Sequence, residues 1–149
     1  MFGSVLIVCT GNICRSPMAE ALLRAHAGDR LRVESAGVGA LQDREADPVA
    51  VALMAERGLD LGGHQARQID LELAQQFDLL LAMEQEQVDW LNAQFPVVRG
   101  RVHRLGRWRE ADIPDPYRGT REDFEHALAE IEACLGDWQA KGLLPAEAG

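Results

Sequence analysis

The sequence predicts an α/β fold, a four-stranded parallel sheet with helices on both faces in a three-layer sandwich. Three observations carry that expectation. Ser4–Cys9 (SVLIVC) is a continuous apolar run rich in β-branched residues, as a central parallel strand covered on both faces requires. A second, largely apolar run stands at Phe77–Met83 (FDLLLAM). Between them lie two helix starts, Ser16-Pro17 and Asp47-Pro48, in which a capping side chain precedes a proline whose fixed φ suits the first turn.

Taken in order, Ser4–Cys9 is the first strand. Ser16 is expected to cap the first helix, with Met18, Ala21, Leu22 and Ala25 as its apolar stripe at i, i+3, i+4, i+7 spacing. Leu31–Glu34 reads as the second strand. Asp47 and Pro48 open a second helix, and Gly58 closes it. Phe77–Met83 is the third strand, Glu84–Phe95 the helix after it, and Val102–Leu105 a short fourth strand. Phe124, Leu128, Ile131 and Leu135 form a stripe for a last helix from Thr120 to Ala140. No repeat, low-complexity tract or linker interrupts this rhythm, so residues 1–149 are expected to form one domain.

Composition excludes several classes of function. The net charge is −9, from 24 acidic against 15 basic residues, which argues against a nucleic-acid partner. No stretch approaches the roughly 20 apolar residues of a membrane span, so no membrane insertion is expected. Met1–Cys9 lacks a basic n-region and a small-residue cleavage site, and reads as a strand and not a signal peptide. Three cysteines, an odd count, point to a reactive thiol in the cytoplasm in preference to a disulfide scaffold. His26, His64, His103 and His126 are scattered without ligand spacing, so neither metal nor cofactor is expected.

In such sheets the ligand sits beyond the carboxyl end of the first strand. The sequence there is Cys9-Thr10-Gly11-Asn12-Ile13-Cys14-Arg15-Ser16-Pro17. A cysteine six positions before an arginine means little by itself. Here the pair brackets a short loop between a buried strand and a helix N-terminus, where backbone N–H groups and the helix dipole favour an anion. Gly11 and Asn12 tolerate the unusual backbone conformations such a loop needs. Arg15 can grip two phosphate oxygens with parallel hydrogen bonds. Cys9 is then the nucleophile, as a thiolate attacking phosphorus to give a phosphocysteine. Ser16 is placed to hydrogen-bond that thiolate. The nucleotide-binding pattern G-x-x-x-x-G-K-[ST] is absent. A proton donor for the leaving group is available in Ile-Pro-Asp-Pro-Tyr (113–117), where Pro116 restricts Asp115 to an extended backbone. Tyr117 can flank an aromatic substrate ring.

In these residues the chain resembles the low-molecular-weight protein tyrosine phosphatases. The matching segments are CTGNICRSP (9–17), SAG (35–37), HQAR (64–67), FDLLLAME (77–84) and DPY (115–117), in the family's order. The resemblance implies the roles above for Cys9, Arg15 and Asp115, and a phosphate-binding loop comprising Thr10, Gly11, Asn12, Ile13, Cys14 and Ser16. It further implies Ser35 and His64 as supporting hydrogen-bond partners. Glu34–Asp47 resembles the bacterial branch that serves capsule and exopolysaccharide export. There the partner would be a membrane tyrosine autokinase with a tyrosine-rich tail. Leu41 would form the cleft wall where eukaryotic members carry a bulky aromatic.

Two other readings stay open at this point. A thiol-dependent arsenate reductase shares the fold and the first motif, but it relays a disulfide through further cysteines, and Leu80–Trp90 contains none. A non-catalytic phosphate-binding module would keep Arg15 without needing both Cys9 and Asp115. Cys9 and Cys14 could also form a protective reversible disulfide. The arginines at 99, 101, 104, 107 and 109 could form a docking patch, although a solvated face is the commoner outcome.

Overall fold

A computed structural model describes residues 2–147. Four strands, β1 (Ser4–Cys9), β2 (Arg32–Gly37), β3 (Leu79–Ala82) and β4 (Val102–Arg104), form one sheet in the order β2-β1-β3-β4, and every pair is parallel. Five α-helices accompany them: α1 (Arg15–Ala27), α2 (Pro48–Glu56), α3 (Leu71–Gln75), α4 (Gln85–Gln94) and α5 (Arg121–Ala140).

The period of two along each strand divides the core. Val5, Ile7, Leu79 and Leu81 point to one face and meet α1, α2 and α5 through Met18, Leu23, Leu53, Phe124, Ile131 and Trp138. Leu6, Val8, Leu80 and Ala82 point to the other and meet α3 and α4 through Ala74, Val88 and Leu91. Residues 5–8 of β1 are wholly buried, which is why that segment carries no alternation in its sequence. The long helix α5 starts with a reciprocal cap between Thr120 and Asp123, and the Trp138 indole N–H near its end donates to the Leu105 carbonyl at 2.8 Å.

Several expected boundaries shift for identifiable reasons. β2 runs on to Gly37 because β1 offers paired residues as far as Cys9, so Ser35, Ala36 and Gly37 are strand. The apolar face of α1 is rotated from the expected stripe: Met18, Ala19, Leu22 and Leu23 are buried, while Ala25 is exposed. Ser16 does not cap α1. Cys14 holds the cap position without a side-chain bond, and the Ser16 hydroxyl turns inward instead. Asp47 caps α2 as expected, accepting from the Val49 N–H at 2.9 Å. The short α3 had no stripe long enough to announce it. Four of the five arginines of 99–109 make contacts within the chain. Arg104 pairs with Asp112, Arg109 with Asp137, Arg107 lies over Trp108 and Arg99 donates to the Asn92 carbonyl.

With β1 between β2 and β3, the chain leaves β1 at the place where the sheet order reverses, the crevice where ligands bind in open parallel sheets. Gly37 closes β2 directly against the Thr10 carbonyl, and a Cβ there would lie far inside van der Waals contact with that backbone atom. Gly37→Ala is therefore expected to displace the loop after β1 and lower stability by about 1–3 kcal/mol, the usual range for overpacking. Urea denaturation checks this, and an unchanged midpoint would show that the loop gives way without cost.

Candidate active site

The loop from Cys9 to Cys14 has its carbonyls turned outward, and each has a partner. Cys9, Thr10 and Gly11 accept from the N–H groups of Val38, Gly39 and Leu41, all at 3.0 Å. The Asn12 carbonyl meets His64 Nε2 at 2.6 Å, the Ile13 carbonyl accepts from Asp47 N–H at 2.9 Å, and the Cys14 carbonyl accepts from Met18 N–H at 3.3 Å. A carbonyl can only accept, so His64 carries its proton on Nε2. With the carbonyls anchored outward, the intervening N–H groups face the concave side, and that of Asn12 donates to Cys9 Sγ at 3.3 Å.

Asn12 holds this shape. It is fully buried with φ 59, the left-handed region that costs an ordinary residue about 1–2 kcal/mol. Its amide donates to Ser16 Oγ (2.8 Å) and Ser35 Oγ (3.0 Å), and its carbonyl oxygen Oδ1 accepts from the Arg67 N–H (3.0 Å). Ser35 passes the network on by donating to Glu20 at 2.6 Å. Ser16 Oγ lies 2.9 Å from Cys9 Sγ, so its hydroxyl can donate to a thiolate there.

Arg15 is 1% exposed. Its Nη1 spends both hydrogens on protein, on Glu84 Oε2 at 2.7 Å and the Ile113 carbonyl at 2.6 Å. Nε, by contrast, has no hydrogen-bond partner among the described residues, and Nη2 lies 3.6 Å from Asp115. Nε–H and Nη2–H form the parallel edge of a guanidinium, the edge that grips two oxygens of one anion. Glu84 thus fixes one edge and leaves the other for a ligand.

A cavity of about 110 Å³ gathers Cys9, Thr10, Gly11, Asn12, Ile13, Cys14, Arg15, Leu41, Asp115 and Tyr117 with Gly39. Asp115 is exposed at its mouth, with Oδ1 accepting from the Tyr117 N–H at 3.1 Å. Ser35 and His64 stand outside this cavity. They line a larger groove of about 700 Å³ behind the loop, between α1 and residues 59–67, and reach the site only through Asn12. Cys9, Cys14 and Cys134 are free thiols. Burial pushes the Cys14 thiol far up, reinforced by Asp47, Cys9 and Asp115, so it stays protonated at neutral pH. Cys134 is core on α5. Among the described residues no three His, Cys, Asp or Glu side chains converge to hold a metal.

Residues 4–144 match the family described as low molecular weight phosphotyrosine protein phosphatase. The chain belongs to that family. It is 46% identical to the low molecular weight protein-tyrosine-phosphatase Wzb of Escherichia coli K12 over 93% of this chain and 94% of the relative. Its fold superposes on the crystal structure of Wzb from Escherichia coli K30 in complex with sulphate, with a TM-score of 0.88 at 41% identity, over 95% and 99% of the two chains. A YwlE arginine phosphatase from Geobacillus stearothermophilus is also similar, with a TM-score of 0.87 at 33% identity, over 95% and 92%. The chain is thus a low molecular weight protein-tyrosine phosphatase of the Wzb type, on the α/β fold its sequence predicts.

Sequence reasoning missed Glu84, Glu20, Arg67 and Gln87. Glu84 ends a matching segment, but nothing local shows that it meets Arg15, 69 positions away. Removing it leaves the buried guanidinium with the Ile113 carbonyl and the more distant Asp115 carboxylate, and breaking a buried pair costs at most about 3–5 kcal/mol. Glu84→Ala is expected to be destabilised by that order in urea denaturation, and inorganic phosphate is expected to restore more stability to it than to the wild type, because the anion supplies the missing charge. Equal stabilisation of both by phosphate would show that Arg15 is not the anion's partner.

Proposed function

We propose that this phosphatase works by covalent catalysis at Cys9. The observation that carries the reading is the convergence in one cavity of Cys9 Sγ, the concave side of the loop, the unpartnered Nε edge of Arg15, and Asp115. The phosphate sits against the N–H groups with two oxygens on Arg15. The Cys9 thiolate attacks phosphorus, the bond from phosphorus to the tyrosine oxygen breaks, and Asp115 in its acid form gives its proton to the departing phenolate. Asp115, now ionised, takes a proton from water, which attacks the phosphocysteine and releases phosphate. Ser16 steadies the leaving thiolate, and the loop amides with Arg15 stabilise the charge on the equatorial oxygens in both steps.

The cavity wall favours an aryl leaving group. Ile13 and Leu41 are apolar, Tyr117 offers an aromatic ring, and Asp115 is the one carboxylate in the lining. A guanidinium, the leaving group of an arginine phosphatase, would bring several donors to a wall whose one carboxylate is Asp115.

For the physiological substrate, the likeness to Wzb and the resemblance of Glu34–Asp47 to the export-associated branch support a membrane tyrosine autokinase with a tyrosine-rich tail, met in the cytoplasm. Leu41, a smaller wall than an aromatic side chain, suits such a tail. No described helix is long and apolar enough to cross a membrane. The whole chain acts in this reading as one phosphatase domain.

The test is hydrolysis of p-nitrophenyl phosphate, a phosphotyrosyl peptide and a phosphoarginyl peptide, without metal. Cys9→Ser is expected to abolish turnover, and Asp115→Asn to lower it by about 10²–10⁴, the worth of a general acid. The phosphotyrosyl peptide should be turned over in preference to the phosphoarginyl one. Retained activity in Cys9→Ser would overturn the mechanism, and the reverse peptide preference would overturn the reading of the wall.

A further inference from the structure

Gln87 lies on the first turn of α4 and is 3% exposed, yet its side chain makes four hydrogen bonds. Its Oε1 accepts from the N–H groups of Met83 (2.9 Å) and Glu84 (3.0 Å). Its Nε2 donates to Thr10 Oγ1 (3.0 Å) and Glu84 Oε2 (3.2 Å). Two lone pairs and two hydrogens are the full capacity of a primary amide, and two N–H donors on one atom fix which end is oxygen.

The two ends of this amide serve different purposes. The oxygen end caps α4 and ties it to β3, which is a structural role. The nitrogen end touches the first residue of the phosphate loop after Cys9 and the same Glu84 oxygen that holds Arg15 Nη1. Thr10 and Arg15 stand on opposite flanks of the loop, and Gln87 is the side chain that reaches toward both at once, one directly and one through Glu84. We propose that Gln87 is a positioning residue of the phosphatase reaction, holding Thr10 and the Glu84–Arg15 pair in one register so that the open guanidinium edge and the loop amides meet the same phosphate.

This rests on the assignment of Cys9–Ser16 as the phosphate loop, which wild-type inhibition by orthovanadate tests separately. Gln87→Glu separates the two ends, because a carboxylate still accepts at the cap, where glutamate serves as well as glutamine, but it cannot donate. Gln87→Met loses both. Orthovanadate inhibition and the kcat and KM of p-nitrophenyl phosphate are measured on the full chain at a temperature where circular dichroism shows each variant folded. Both variants are expected to bind orthovanadate about tenfold more weakly, the scale of one lost hydrogen bond to a charged group. Gln87→Met alone should also lose helix stability in urea. Thr10→Val combined with Gln87→Met should be no worse than the weaker single variant, because the two share one contact.

A purely structural Gln87 predicts the opposite pattern, with normal orthovanadate affinity in the folded fraction of both variants. That result, or full additivity with Thr10→Val, overturns the proposal. Should Gln87→Glu fail to fold, Gln87→Met and the double variant decide it by the same criteria. A wild type indifferent to orthovanadate overturns the phosphate-loop assignment and the role of Gln87 with it. Normal wild-type inhibition with unaltered variants overturns the role of Gln87 alone.

Discussion

The constraint on which the rest of the structure depends is the outward turn of six consecutive carbonyls, from Cys9 to Cys14. A peptide that presents its N–H groups to a ligand must dispose of its carbonyls elsewhere, and buried carbonyls need donors. Residues 38–47 provide four of them, and His64 and Met18 provide the others. That accounts for the long segment between β2 and α2, which has little regular structure of its own. It is the mould in which the loop is cast. At about 1 kcal/mol net for each bond, the mould outweighs the strain of a left-handed Asn12.

Charge follows the same logic of local construction. The protein carries a net charge of −9, so an anion site must be built against the field of the whole molecule. In the proposed mechanism it is built from backbone dipoles, which carry no net charge, and one arginine divided between two tasks. The Glu84 and Ile113 contacts hold one edge of Arg15 and keep the buried cation satisfied, while the opposite edge stays available. Arginine suits this division and lysine does not, because only a planar fork can be clamped along one side and offer the other. The neighbouring Cys14 thiol, kept protonated by burial and by Asp47, adds no charge of its own.

Much of this was legible in the sequence because local signals coincide with the sheet's switch point. The apolar run of β1, the Cys9–Arg15 loop and the proline at 17 lie within fourteen consecutive residues (4–17), and they are the strand, cradle and helix of the fold. What was not legible was long-range. Glu84 and Gln87 look like the polar start of an amphipathic helix, and only the crossover that places β3 beside β1 brings them to the loop. The expected cap at Ser16 fails for a related reason. Ser-Pro is a sound local cap signal, but a buried thiol and Asn12 compete for the same hydroxyl and win it. The Ser35 and His64 positions came from family resemblance, and the geometry gives them a common purpose in Asn12.

Covalent catalysis at Cys9 requires that phosphate passes through its sulfur. Rapid quenching of wild-type protein during turnover of a ³²P-labelled phosphotyrosyl peptide, followed by peptide mapping, tests it most directly. Label is expected on the peptide that contains Cys9, formed in a burst that approaches one equivalent of enzyme and chased to free phosphate. Turnover at the normal rate with no protein-bound label at any time would mean that water attacks phosphorus directly, and would contradict it.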